Sequence, residues 1–111
     1  MQKDYLKIKF TMQQNRLISI IMNCHNGQRY LKNCLKSIFN QTYKNWEIIF
    51  WDNVSTDDSK KILNQFKDKR IKYYKSKKFI SLYKARNLAI AKAKGDYISF
   101  LDTDDLWKKN K

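Results

Sequence analysis

Tyr97-Ile98-Ser99-Phe100-Leu101-Asp102-Thr103-Asp104-Asp105 is the stretch on which the reading of this chain turns. Its first five residues form a short apolar run, introduced by Gly95-Asp96, with the pattern of a buried strand. Its last four put three carboxylates at the mouth of that strand, where they repel one another and resist desolvation unless a cation sits among them. Carboxylate oxygens suit a hard divalent ion such as Mg²⁺ or Mn²⁺, and such an ion suits a diphosphate. A second acidic cluster holds Asp52, Asp57 and Asp58, so most of the 10 acids of a chain with 24 Lys+Arg and a net charge of +14 gather at two places.

Working outward, the same pattern of apolar run and polar loop recurs. Leu17–Met22 reads as a first strand, and Gln28–Asn40 as a helix with Tyr30, Leu31, Cys34, Leu35 and Ile38 on one face. Trp46–Trp51 is a second strand whose unbroken apolar run after Glu47 predicts burial on both faces. Ser55 or Thr56 is the expected N-cap of a helix reaching Phe66, with acids in its first turn, and Asp57 is read as part of that cap rather than as a ligand. Ile71–Tyr74 is a short third strand. Leu82–Lys94 is a third helix, rich in good helix formers and closed by Gly95 as a C-cap. Strands alternating with helices predict a doubly wound, mainly parallel α/β sheet of Rossmann-like form. In such sheets ligands bind beyond the carboxyl ends of the strands. Asn23–Gly27, Asp52–Asp58 and Asp102–Asp105 all fall there.

Composition narrows the class. The 111 residues fit one domain, and 42% hydrophobic content argues for a folded one. Trp46, Trp51 and Trp107 are expected in the core. Cys24 and Cys34 are too few for a disulfide framework or a zinc site and read as reduced, buried thiols. No segment has the length or apolarity of a membrane span or leader, which points to a cytoplasmic protein. Lysine dominates the positive charge, whereas readers of nucleic acid lean on arginine; no nucleic acid partner is expected. A positive surface does suit peripheral contact with an anionic membrane leaflet.

The string ISIIMNCHNGQRYLKNCLKSIFNQTYKNWEIIFWDNVSTDDS, followed by ARNLAIAKAKGDYISFLDTDD, resembles the amino-terminal half of glycosyltransferase family 2, of GT-A fold, across about residues 17–107. The strand-end loops, the turn at Gln41–Tyr43 and the acidic cluster stand in the family's order. Residues 1–16 are then an N-terminal extension and 17–111 a partial nucleotide-sugar-binding domain. The resemblance implies roles. Asn23-Cys24-His25-Asn26 replaces a Pro-Thr-Tyr-Asn-like segment lining the base, with His25 in the tyrosine's place. Asp52-Asn53-Val54-Ser55 replaces Asp-Asp-Gly-Ser, so Asp52 and Asn53 are base contacts, Asn53 offering an amide to a pyrimidine edge. Val54 stands where a glycine is usual. Arg86 and Asn87 match Ala-Arg-Asn near the nucleotide, and a guanidinium suits phosphate. Asp102 and Asp104 match the metal-binding Asp-x-Asp, Asp102 toward the ribose and Asp104 toward Mg²⁺ or Mn²⁺.

The implied activity is that of an inverting glycosyltransferase. It would move sugar from a nucleotide-diphosphate donor to the hydroxyl of a glycan or lipid-linked acceptor, in polysaccharide, lipopolysaccharide or other glycan synthesis. In the family the acceptor half and its general base follow the Asp-x-Asp, so the expectation here is the nucleotide half without that base. A phosphatase of the haloacid dehalogenase type also uses Asp-x-Asp at a strand end, but after the first strand. A basic nucleic-acid-binding module and a non-catalytic remnant are the rival readings.

Overall fold

The computed structural model describes residues 16–103. Asp104, Asp105, Trp107 and residues 1–15 of the expected extension lie outside the described residues. The elements in chain order are β1 (Ile18–Cys24), α1 (Gln28–Phe39), β2 (Trp46–Asp52), α2 (Ser59–Leu63), β3 (Ile71–Lys75), α3 (Leu82–Ala91) and β4 (Tyr97–Phe100). The strands form one sheet in the order β3-β2-β1-β4, and every pair is parallel. This is the α/β architecture expected from the alternation.

The central strands explain why the chain folds so. All seven residues of β1 and all seven of β2 are buried, as strands covered by helices on both faces must be. Ile18, Ile20, Met22, Ile48 and Phe50 meet Leu31, Cys34, Leu35 and Ile38 of α1 and Leu63 of α2 on one face. On the other, Ile21, Ile49 and Trp51 meet Ala85 and Ala89 of α3. Each such aliphatic side chain contributes about 1.5–3 kcal/mol when fully buried. Trp46 and Trp51 are core residues as expected, and both cysteines are free and buried.

Two helices are several residues shorter than the sequence expectation, while the remaining boundaries move by no more than two residues. α3 stops at Ala91, not at Lys94, and Gly95 is not its cap. After i→i−3 bonds from Lys92 and Ala93, the Lys94 N–H donates to Glu47 Oε2 at 2.8 Å and the Gly95 N–H to Ser19 Oγ at 2.8 Å. Glu47 also accepts from Ser19 Oγ at 2.6 Å. A buried carboxylate in a central strand thus draws the chain off the helix. A Cβ on Gly95 would stand 2.5 Å from Ser19 Oγ and 2.8 Å from Leu17 O, so the glycine serves close approach.

α2 is also shorter than expected, because Gln65 and Phe66 donate to carbonyls three residues back and unwind it into turns. Neither Ser55 nor Thr56 caps it, and its first turn holds no acid. Asp57 accepts from Ser59 N and Oγ at 2.9 and 2.6 Å, and from Gln28 N at 3.1 Å, joining the starts of α1 and α2. Burial opposes its charge, but the bonds from Ser59 and Gln28 outweigh it and hold the carboxyl below the usual range.

Candidate functional site

The loops after β1, β2 and β4 leave the same edge of the sheet. Register sets them level: Cys24 pairs with Asp52, Asn23 with Trp51, and Ile21 with Phe100. Between them opens a cleft of about 420 Å³. Asn23, His25, Asn26, Asn53 and Asp102 line it, joined by Cys24, Gly27, Tyr30, Phe79, Leu82, Ala85 and Thr103. Five of the seven residues expected at a nucleotide therefore share one cavity wall, and Arg86 reaches it through Asp102.

The loop after β1 is tied to the loop after β2 by Asn26. Its backbone is left-handed (φ 52°), which asparagine tolerates. Its side-chain oxygen accepts from Thr56 N at 2.7 Å and Asp57 N at 3.3 Å, while its own N–H donates to Ser55 Oγ at 2.9 Å. Gly27 lets the β4 loop close in, since a Cβ there would stand 2.7 Å from Thr103 Oγ1. Burial pushes the Cys24 thiol up, with a smaller push from Asp52, so it remains a thiol at neutral pH.

Asp52 is 2% exposed and does not line the cleft. One oxygen accepts from Ser55 N at 2.8 Å, the other from the Tyr73 hydroxyl at 2.6 Å. Burial, and then the bond to Asp52, push the Tyr73 phenol far above its ordinary value and keep it a donor. The turn that Asp52 closes contains Val54 at φ 55°, a left-handed conformation that a β-branched side chain adopts only under strain. The glycine missing from the sequence motif is missing where the backbone calls for one.

Asn53 is held on all sides. Its Nδ2 donates to Ile80 O at 2.7 Å and its Oδ1 accepts from Ile80 N at 3.0 Å. The amide read from sequence as a base contact is engaged within the protein. His25 Nδ1 lies 2.7 Å from Asn53 O. A carbonyl only accepts, so Nδ1 is the donor of this bond. The imidazole also meets the Phe79 ring edge-on, with centroids 4.8 Å apart.

Across the cleft, the side-chain amide of Asn23 is buried, and neither its nitrogen nor its oxygen has a partner among the described residues. Arg86 Nε is in the same condition. Another nitrogen of Arg86 lies 3.3 Å from Asp102 Oδ1, and the guanidinium sits over the Phe100 ring at 5.5 Å. Asp102 is the one carboxylate among the described residues that lines the cleft, and no group of three or more His, Cys, Asp or Glu gathers among them as a metal cage. A single carboxylate still fits a Mg²⁺-type ion that takes its remaining ligands from substrate phosphates and water.

Phe79, Leu82 and Thr103 were not singled out in the sequence. Phe79 follows Lys77-Lys78 in a loop with no apolar period, so only the parallel topology brings it to the cleft.

Likeness to known proteins bears on this site. A UDP-Glc:alpha-D-GlcNAc-diphosphoundecaprenol beta-1,3-glucosyltransferase of Escherichia coli, WfaP, is 44% identical over 95 residues, covering 86% of this chain. The chain spans 38% of that relative's length. Staphylococcus aureus TarS 1-349, solved in complex with UDP, superposes with a TM-score of 0.76 at 27% identity, over 80% of this chain and 28% of that one. The mannosyltransferase PcManGT from Pyrobaculum calidifontis, solved with GDP-Man and Mn²⁺, gives a TM-score of 0.77 at 21% identity over 96% of this chain and 34% of that one, a likeness of fold. The model of the family described as "Glycosyl transferase family 2" matches residues 19–111. With that match over most of its length, and the parallel sheet and strand-end cleft beneath it, the chain belongs to glycosyltransferase family 2.

Proposed function

We propose that the cleft binds the nucleoside diphosphate of a sugar donor, and that the whole protein transfers the sugar to a hydroxyl acceptor with inversion. The observation that carries this reading is the convergence of three strand-end loops on one cleft, with a paired guanidinium and carboxylate, Arg86 and Asp102, at its edge. The likeness to an enzyme solved with UDP supports it. Asn23, His25 and Asn53 form the base end, and Asn26 fixes the loop beneath them. Asp52 acts by building the turn that presents Asn53. Arg86 holds Asp102 in place and brings positive charge toward the diphosphate. Asp102, with Asp104, would hold Mg²⁺ or Mn²⁺, which supplies stabilisation of the negative charge left on the departing diphosphate.

A polyprenyl-diphosphate acceptor is supported by the name of the E. coli relative. A lysine-rich surface favours the anionic membrane face where such acceptors lie. Among the described residues no helix is long and apolar enough to cross a membrane.

Calorimetric titration with UDP and then GDP, with and without Mn²⁺, tests the reading. Metal-dependent binding that is lost in both Asp102→Ala and Asp104→Ala is expected. A folded protein that takes up neither nucleotide contradicts it.

A further inference from the structure

The contacts of Asn53, His25, Ile80 and Phe79 close into a ring. The Asn53 carbonyl accepts from His25, and the Asn53 amide clasps both backbone atoms of Ile80 as a neighbouring strand would. Ile80 follows Phe79, whose ring returns to His25. Phe79 is 63% exposed, a large apolar side chain that the described residues leave uncovered at the cleft edge. Asn53, in contrast, is 6% exposed. The exposed members of the ring, His25 and Phe79, are its two aromatic side chains, and the buried member, Asn53, is the one that holds them.

We propose that Asn53 is a positioning residue: its amide latches Ile80 to the end of β2, so that Phe79 and His25 form the wall against which the nucleotide base rests. This rests on the nucleotide reading above and changes the part Asn53 plays in it. A flat base gains by covering an aromatic face, whichever base it is. The latch needs a donor and an acceptor side by side, which an amide has and a carboxylate lacks. An aspartate at this position would accept from Ile80 N but set a charged oxygen against Ile80 O. Protonated, its hydroxyl would donate to Ile80 O and restore both bonds.

The test is nucleotide affinity against pH in Asn53→Asp, taken as a ratio to wild type. The other titratable groups packed around Asn53 are His25, Cys24, and Asp52 with its partner Tyr73. All are common to both proteins, as is the titration of UDP, so the ratio isolates the new carboxyl. At pH 8 the variant is expected to bind UDP about tenfold more weakly, the consequence of an unpaired buried carbonyl. At pH 5 the gap should close to within about twofold as the latch re-forms. Phe79→Ala should weaken UDP about tenfold at both pH values, with the melting temperature unchanged.

Equal or tighter UDP binding by Asn53→Asp at pH 8 would mean that residue 53 meets the base directly, and would overturn the proposal. Wild-type affinity in Phe79→Ala, or a gap in Asn53→Asp that ignores pH, overturns it too. In each of those cases the wild type binds and the nucleotide reading stands. No binding by wild type removes that reading, and the proposal with it.

Discussion

The two ends of the sheet are built to opposite rules. At the amino end, most polar groups brought inside are paired, Glu47 with Ser19 and Lys94 and Ser19 with Gly95, while the exposed Asp96 accepts from the Leu17 N–H at 3.0 Å. At the carboxyl end, Asn23 and Arg86 keep buried polar atoms without partners among the described residues, and Val54 holds a left-handed backbone. Unpaired buried amides and strained residues each cost free energy. Among the described residues three of the four unpartnered buried side-chain atoms lie at the carboxyl end, against the Trp46 indole nitrogen alone at the amino end, and this imbalance separates the part of the molecule that supplies stability from the part shaped for a ligand.

The largest effect should come from breaking the closed end. Gly95→Ala drives a methyl into the Ser19 and Leu17 backbone and should cost about 3 kcal/mol, read as a lowered denaturant midpoint. Glu47→Leu strands the Ser19 hydroxyl and the Lys94 N–H and should cost about 2–3 kcal/mol in the same assay. At the open end the sign reverses. Val54→Gly should stabilise by about 1 kcal/mol, because relief of the left-handed valine exceeds the added freedom of the unfolded glycine. A destabilised Val54→Gly would show that the strain is not stored there.

The smallest effect is a pH dependence. The folded Asp57 carboxyl lies below its ordinary value, so its contribution is present above the unfolded pKa, about 4, and is lost as pH falls through the folded value. The melting-temperature gap between wild type and Asp57→Asn should therefore be full at pH 7 and shrink progressively as pH falls below about 4. At the other extreme Tyr73, whose folded value is raised, contributes below its unfolded pKa of about 10 and loses that contribution above it. Tyr73→Phe should approach wild-type stability as pH rises past that point.

Much of this contrast was legible in the residues. Mainly apolar runs, broken by Ser19 in the first and preceded by Glu47 in the second, marked β1 and β2, because strands covered on both faces need no polar alternation. The loops that bear Asn23, Asn53 and Asp102 followed from strand-end position alone. Less legible was anything decided by a contact distant in sequence. Gly95 after an alanine-rich helix looks like a cap, and only Glu47, on a strand 48 residues earlier by number, shows why the helix ends sooner. Asn53 reads as a free amide until Ile80 is found against it. Val54 is the intermediate case: the sequence shows a departure from Asp-Asp-Gly-Ser, and the backbone angle shows its cost.

The most direct test of the division is amide chemical-shift mapping of the isotope-labelled chain on addition of UDP with Mg²⁺. The account predicts shifts at Asn23–Gly27, Asn53, Phe79–Arg86 and Asp102–Thr103, with Ser19, Glu47 and Gly95 unmoved. Shifts centred on the amino end of the sheet, or none at saturating UDP, would contradict it.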